Sequence, residues 1–213
     1  MPVVLRYERA EPPLRTPLLE AAATAALAVC LDDRAAPGGP WHGEVADWVA
    51  GRIRKVTRRA RGAHWDAVQD LPGVTVSVAG AQARALMPCL VAQTPRVVAR
   101  LQISGTDLPA DSPGDPADGV PVVWLSPNLQ LSVGKAAAQV GHATMLLAAS
   151  LSGESLARWR ADDLRCAVRV ARAADWPVLQ EQARDGRAVP VRDAGFTEVS
   201  PGTMTCVARW PAR

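Results

Sequence analysis

The chain has 213 residues, 48% of them hydrophobic and 21% charged, and its formal net charge is +3. This composition is typical of a folded globular protein and excludes fibrous and wholly disordered chains. The length allows one large domain or two small ones, and the mild positive charge permits a polyanionic partner without requiring one.

The first half is predicted to begin with a strand, a proline-rich turn and an alanine-rich helix, within VVLRYERAEPPLRTPLLEAAATAALAV at residues 3–29. Further along, RIRKVTRRAR at residues 52–61 holds six cations, and Ile53, Val56 and Ala60 would form the inward stripe of a helix. Such a basic face is often only solvated, but it could also bind nucleic acid phosphates. The candidate phosphate contacts are Arg52, Arg54, Lys55, Arg58 and Arg59.

Residues 105–120 are rich in Asp, Pro and Gly without an apolar period and are predicted to be a linker. The linker divides an N-terminal accessory domain, residues 1–104, from a second domain, residues 121–213. In the second domain we predict, in order, a strand (PVVWL), a helix over 135–150, a helix near 154–165, a strand (CAVRVA), a helix (DWPVLQEQARDG) and two strands (AVPVR and TMTCVARW). Alternating strands and helices indicate an α/β fold.

The four cysteines are far apart and form no C-x-x-C pair, so we expect reduced, mostly buried thiols rather than a zinc site or a disulfide framework. The N-terminal residues carry charges where a signal peptide needs an apolar segment. The longest apolar run is too short to span a bilayer. We therefore expect a soluble cytoplasmic protein.

The stretch GKAAAQVGHA, residues 134–143, opens the alanine-rich helix on a lysine. A cation in the first turn has the wrong sign for the helix dipole, and lysine is rare here, since Lys55 and Lys135 are the only two. Lys135, Gln139 and His142 share one face of an otherwise apolar helix. An isolated histidine would be read as a satisfied core residue, but three polar residues in register at a helix N-terminus favour a site.

The two halves are similar in sequence. RRARGAHWDAVQ at residues 58–69 matches RVARAADWPVLQ at 169–180, and each half begins with a strand, a turn and an alanine-rich helix. We interpret this as a diverged internal duplication, with a shared bias toward Ala and Arg as the alternative. The first copy carries Thr16, Glu20 and Ala23 at the positions of the polar triplet, so it would be a copy without a site.

A second motif, DAGFTEVSPGTMT at residues 193–205, is typical by itself of a turn. Together with GKAAAQVGHA, however, it closely resembles the second type of peptidyl-tRNA hydrolase, common in archaea and eukaryotes, over roughly residues 121–210. The resemblance implies a small mixed β-sheet with helices, usually as a homodimer. It also implies cleavage of the ester that joins a peptide to the 3′ end of tRNA, without a required metal and without a cofactor.

The resemblance also implies which residues act. The catalytic candidates are Lys135, His142, Asp193, Thr197 and Thr205, and the candidates for substrate binding on the helix are Gly134 and Gln139. A lysine at a helix N-terminus can meet a phosphate or a developing oxyanion, and Asp193 can accept a proton from water or orient it. Because the chain lacks a G-x-S-x-G elbow, we expect direct attack by water rather than an acyl-enzyme.

Three departures from the family pattern reduce positive charge near the site. Val133 stands where the family commonly has a basic residue, and Phe196 and Glu198 stand where it commonly has a basic residue and a glutamine. These changes affect the expected tRNA affinity more than the hydrolytic groups. Two other readings remain open: a non-catalytic module that binds RNA or protein, and a hydrolase of another acylated tRNA or amide. The chain could be a homodimer or a monomer with an internal pseudo-dimer.

Overall fold

In its described residues, the N-terminal half has four strands and four α-helices. The computed structural model describes residues 1–103, 105–193 and 199–211. In the first half the elements are β1 Pro2–Arg6, α1 Arg15–Leu31, α2 His42–Ala50, β2 Val56–Ala60, α3 Ala63–Gln69, β3 Gly73–Val78, β4 Ala81–Leu86 and α4 Arg96–Ala99.

The C-terminal half follows the predicted order of elements. It contains β5 Val122–Leu125, α5 Val133–Ser150, α6 Gly153–Ala161, β6 Ala167–Val170, α7 Trp176–Arg184, β7 Val189–Arg192 and β8 Met204–Arg209. Each predicted element of this half is present within a few residues of its expected bounds. Pro177 lies in the first turn of α7, and Gly186 follows the helix with a φ of +73°.

The two halves share one sheet topology. The strand orders are β2-β1-β4-β3 and β6-β5-β8-β7. In each sheet the first central strand pairs in parallel with one edge strand and antiparallel with the other central strand. The predicted α/β fold with small mixed sheets is therefore confirmed.

Local features repeat along with the topology. Ile53 and Leu164 both have a positive φ, of 40° and 55°, and each lies three residues before a parallel edge strand. Such backbone is uncommon for a side chain of this size. Trp65 of α3 and Trp176 of α7 are both buried against their own sheets. The two halves thus share these local features as well as their sheet topology.

Helices α1 and α5 pack against each other between the two halves. Thr144 of α5 donates a hydrogen bond to the carbonyl oxygen of Ala23 of α1 at 3.0 Å. A Cβ on Gly141 would lie 3.0 Å from Cβ of Ala26, so the glycine permits the close approach of the helices. One apolar cluster spans both halves, while α3 and α7 cover the opposite faces of the sheets. The expected helices on both faces are confirmed.

The predicted linker contains no helix or strand, but it is packed onto the fold. The carboxylate of Asp111 accepts hydrogen bonds from the backbone N–H and the hydroxyl of Thr16, at 2.9 and 2.6 Å. The carbonyl oxygen of Gly114 accepts one from Arg169. Asp111 thus places an anion at the N-terminus of α1, where the helix dipole favours one.

The predicted helix over 52–61 is wrong. Residues 52–55 have no helical structure and Val56–Ala60 form strand β2, with Val56 exposed rather than inward. The β-branched pair Val56 and Thr57 favours the strand. The four cysteines are unpaired, as expected. None of the helices in the described ranges is long and apolar enough to cross a membrane.

Candidate active site

The N-terminus of α5 positions the predicted lysine. Ser132 caps the helix, and its hydroxyl oxygen accepts a hydrogen bond from the backbone N–H of Lys135 at 3.2 Å. The cap thus satisfies one of the backbone N–H groups that the first turn of a helix leaves without an intrahelical partner. Lys135, Gln139 and His142 then line the same cleft from one face of the helix.

A buried ion pair lies at the centre of this stripe. Nζ of Lys135 is 2.6 Å from Oδ2 of Asp193, and the two side chains are only 13% and 6% exposed. Asp193 directly follows β7. Its backbone N–H donates to the carbonyl oxygen of Thr203 at 2.9 Å, and its carbonyl oxygen accepts from the N–H of Gly202 at 2.7 Å. The carboxylate is therefore held in place by the main chain on which it sits.

Gln139 links this ion pair to the sheet. Its Nε2 donates to Oδ2 of Asp193 at 2.6 Å, and its Oε1 accepts from the hydroxyl of Thr205 at 2.7 Å. The register between β7 and β8 shifts next to Thr205, which is typical of a β-bulge. The result is a directional chain from Thr205 through Gln139 to Asp193, which fixes the orientation of the glutamine amide.

The N-terminal half contributes a second polar pair to the cleft. Nζ of Lys55 lies 3.2 Å from Nδ1 of His142. Burial lowers the pKa of Lys55 to about 7. Burial, followed by the nearby charge of Lys55, lowers the pKa of His142 to about 3, so this imidazole is neutral at physiological pH.

These groups line a cavity of about 720 Å³ between the two halves. One wall is formed by α5 and the end of β7, with Gly134 at the N-terminus of the helix. The other wall is formed by residues 52–57, 103, 105 and 106. The volume is that of a site for a small-molecule group. Within the described residues, no cluster of three His, Cys, Asp or Glu side chains is suited to hold a metal ion.

The basic stretch divides into two groups. Arg52, Arg54 and Lys55 line the cleft, close to the predicted catalytic residues. Arg58 instead donates to the carbonyl oxygens of residues 99 and 101, and Arg59 donates to the side chain of Gln102 and to the carbonyl oxygen of residue 105. The guanidinium groups of Arg58 and Arg59 thus hold residues 99, 101, 102 and 105 against β2.

Thr197, a predicted catalytic residue, lies outside the described residues, as do Phe196 and Glu198. Sequence reasoning missed the position of Lys55 beside His142, because the helix predicted over 52–61 pointed it outward. The signal was its rarity, since it is one of only two lysines.

The N-terminal half has no equivalent site in its described residues. Its β3–β4 hairpin keeps an unbroken register and closes with Ala79 and Gly80, whereas β7 ends at Arg192, β8 begins at Met204 and their register shifts at a bulge. Glu20, at the position of Gln139, accepts hydrogen bonds from the backbone N–H of Val168 and from Arg169. The N-terminal half thus uses this polar helix residue to hold the two halves together.

The C-terminal half is thus a small α/β domain with a mixed sheet and a lysine–aspartate pair at a cleft. Residues 121–213 match the family described as Peptidyl-tRNA hydrolase PTH2. The chain belongs to this family through its C-terminal half, and the predicted resemblance is confirmed.

Archaeal relatives support the assignment. A peptidyl-tRNA hydrolase of Methanopyrus kandleri is 35% identical over 97 residues, which cover 43% of this chain and 84% of the relative. One of Haloquadratum walsbyi is 36% identical over 89 residues, covering 39% of this chain and 78% of the relative. One of Saccharolobus islandicus is 28% identical over 102 residues, covering 43% of this chain and 84% of the relative.

Proposed function

We propose that the protein hydrolyses the ester bond between peptide and tRNA in peptidyl-tRNA, which releases the tRNA for reuse. The observation that carries this proposal is the Lys135–Asp193 pair, which the family motifs mark and which lies in a cleft large enough for an acyl group. Because this reaction serves translation, we infer that the protein works in the cytoplasm.

The cleft offers the groups that ester hydrolysis needs. In the proposed reaction, Asp193 takes a proton from water as the water oxygen attacks the ester carbonyl. An ammonium has three donors, so Lys135 can donate to Asp193 and also to the oxyanion of the tetrahedral intermediate. The bond to the ribose oxygen then breaks, and that oxygen takes the proton from Asp193. The products are the free peptide acid and the 3′ hydroxyl of tRNA.

The remaining site residues assist this step. Gln139 holds Asp193 through its side-chain amide, and Thr205 orients that amide; both side chains are buried. His142 is a neutral hydrogen bond donor for the substrate. Thr197 is retained as a catalytic candidate on the family motif alone. The chain carries the whole polar set, which disfavours the alternative of a binding module that has lost catalysis.

The tRNA is proposed to follow the edge of β2. Arg52 and Arg54 lie at the cleft, where they can meet phosphates close to the scissile ester. Along the same strand, Thr57 and Arg59 share one face by strand alternation. This face leads from the cleft to a second, basic pocket of about 260 Å³.

The basic pocket can bind a polyanionic backbone. It is lined by Tyr7, Arg9, Arg61, His64 and Arg100, together with residues 59, 60, 101 and 102. Thr57 at the cleft and Arg59 at the pocket are two residues apart along β2, which corresponds to about 7 Å. A phosphate-binding surface in this place compensates for the positive charge that the C-terminal half lacks at Val133.

We further propose that the chain is a monomer built as an internal pseudo-dimer, with an accessory domain at 1–104, a linker at 105–120 and a catalytic domain at 121–213. The common topology of the two sheets and the packing of α1 on α5 support this organisation. A homodimer remains the alternative, and light scattering of the purified protein distinguishes them.

An assay with peptidyl-tRNA and free aminoacyl-tRNA side by side tests the function. We expect release of tRNA from the peptidyl substrate in the presence of a metal chelator. No release from either substrate would reject the proposal, and equal release from both would change the substrate class.

A further inference from the structure

Lys55 enters the cleft from the half that does not match the hydrolase family. It lies just before β2, and besides Nδ1 of His142 its amine contacts the carbonyl oxygen of Ile53 at 3.4 Å. Its aliphatic chain packs over Gly141, where a Cβ would lie 3.2 Å from Cδ and Cε of the lysine. The helix glycine therefore makes room for this side chain as well as for α1.

In the C-terminal half, a residue with a purely structural role occupies the equivalent position. Cys166 lies just before β6, two residues after Leu164, as Lys55 lies two residues after Ile53. Its Sγ is fully buried and lies 3.7 Å from the hydroxyl of Thr24 on the long helix of the opposite half. Burying an amine costs much more than burying a thiol, so packing alone does not explain the lysine in the half that faces the active cleft.

The contact has a chemical consequence for His142. Below about pH 7 the Lys55 amine is an ammonium group, which only donates hydrogen bonds, so Nδ1 of the imidazole must accept and the ring proton must lie on Nε2. No described residue accepts a hydrogen bond from Nε2 of His142 in this structure, and the ring lines the cleft. The N–H is therefore offered to whatever the cleft binds.

We propose that Lys55 is a positioning residue, which fixes His142 as the Nε2–H tautomer and so makes it a donor to an oxygen of the substrate. This inference rests on the proposed hydrolase function. It gives the N-terminal half a direct role in the site, because Lys55 belongs to that half and orients His142 of the C-terminal half.

Nitrogen NMR of histidine tests the tautomer independently of any substrate. The chain has only three histidines, so the spectrum of ¹⁵N-histidine-labelled protein is simple and His142→Gln assigns the signals. The spectra should be recorded near pH 6, where Lys55 is protonated and His142 is neutral. The variants are Lys55→Met, which removes the donor, and Lys55→Arg, which keeps one. Cys166→Ala is the matched control at the equivalent position.

In the wild type, we expect the protonated nitrogen of His142 to be Nε2 alone. In Lys55→Met we expect both tautomers and a fall in kcat of about 10-fold, the value of one hydrogen bond, with KM within about twofold. Lys55→Arg should keep the tautomer and most of the kcat. Cys166→Ala should lower only the melting temperature.

Two results would overturn the proposal: an unchanged His142 spectrum in Lys55→Met, or a loss of kcat without any change of tautomer. Failure of the proposed function gives a different pattern, because the wild type would then release no tRNA. The nitrogen shifts would still decide whether Lys55 fixes the imidazole.

Discussion

Nζ of Lys135 meets Oδ2 of Asp193 at 2.6 Å where the N-terminus of α5 faces the end of β7. In the first half, the N-terminus of α1 instead holds the carboxylate of Asp111, which complements the helix dipole. The two helix ends thus carry opposite charges. The lysine is unfavourable for its own helix, and the buried carboxylate and the proposed chemistry account for its presence.

The hydroxyl of Thr205 should matter through Gln139. Thr205→Val keeps the shape of the side chain but leaves the buried Oε1 of Gln139 without its donor. We expect a loss of about 1–3 kcal/mol in the free energy of unfolding, together with a lower kcat because Gln139 no longer holds Asp193. Urea unfolding and tRNA release measure the two effects. Thr205→Ser, which keeps the hydroxyl, should preserve both, and an equal loss in the serine variant would contradict the hydrogen-bond account.

Gly141 should resist replacement by alanine. In an exposed helix this change would stabilise the protein, since alanine is the better helix former by about 1 kcal/mol. Here the new Cβ would lie 3.0–3.2 Å from Ala26 and from the side chain of Lys55. We therefore expect Gly141→Ala to destabilise by about 1–3 kcal/mol. Gly153→Ala is the control, because a Cβ there meets nothing within 4 Å. Similar melting temperatures for the two variants would show that α1 and α5 move apart to accommodate the added methyl group, and would contradict this prediction.

The basic pocket should contribute to tRNA affinity through phosphates. Replacing Arg61 and Arg100 by Gln should weaken binding and reduce the slope of log Kd against log salt by roughly 2. Filter binding over a range of salt concentrations measures the slope. The control is the double variant of Arg172 and Arg187, which are exposed on the other half. An identical slope in the pocket variant and the wild type would remove the pocket from the tRNA path.

The buried amine of Lys55 should make stability depend on pH. Burial lowers its pKa from 10.5 to about 7, so between these values the unfolded chain binds more protons than the folded one. The cost of burying the charge is therefore full below pH 7 and decreases as pH rises. Relative to Lys55→Met, the wild type should gain unfolding free energy between pH 7 and pH 9. Both proteins keep the N-terminal amine and Cys30, whose pKa values the charge of Lys55 also affects, so the comparison reports Lys55 together with its effect on these two groups.

A constant difference between wild type and Lys55→Met over that pH range would contradict the lowered pKa. Urea unfolding at several pH values provides the measurement. His142, which contacts the lysine amine, is neutral over this pH range and therefore does not offset the charge of the amine.

Much of the C-terminal half could be predicted because its signals are local. Ser132 precedes an alanine-rich run, and Pro177 and Gly186 mark the start and end of α7. The stripe from Lys135 to His142 followed from helix periodicity. The contact with Asp193 needed the family motifs, because no spacing along the chain reveals which strand end lies beside a helix.

The structure of the basic stretch could not be predicted from local signals, because pairing with a strand distant in sequence determines it. Arg52 to Arg61 has apolar residues at helical spacing, yet pairing of Val56–Ala60 with β1 overrides that pattern. Once the segment forms an edge strand, its alternate residues turn to opposite faces, and Lys55 turns into the cleft. Pairing with β1 thus determines that the segment is a strand and that Lys55, which the sequence placed on the surface, faces the cleft.

The most direct test of the account is the rate of tRNA release from peptidyl-tRNA by wild type, Asp193→Asn and Lys135→Met, under single-turnover conditions. Asparagine keeps the shape but cannot accept the proton, and methionine removes the donor to the oxyanion. We predict rapid release by the wild type and a loss of about 10²–10⁴-fold in each variant, with unchanged circular dichroism. Release at near wild-type rates by both folded variants would contradict the role of this pair.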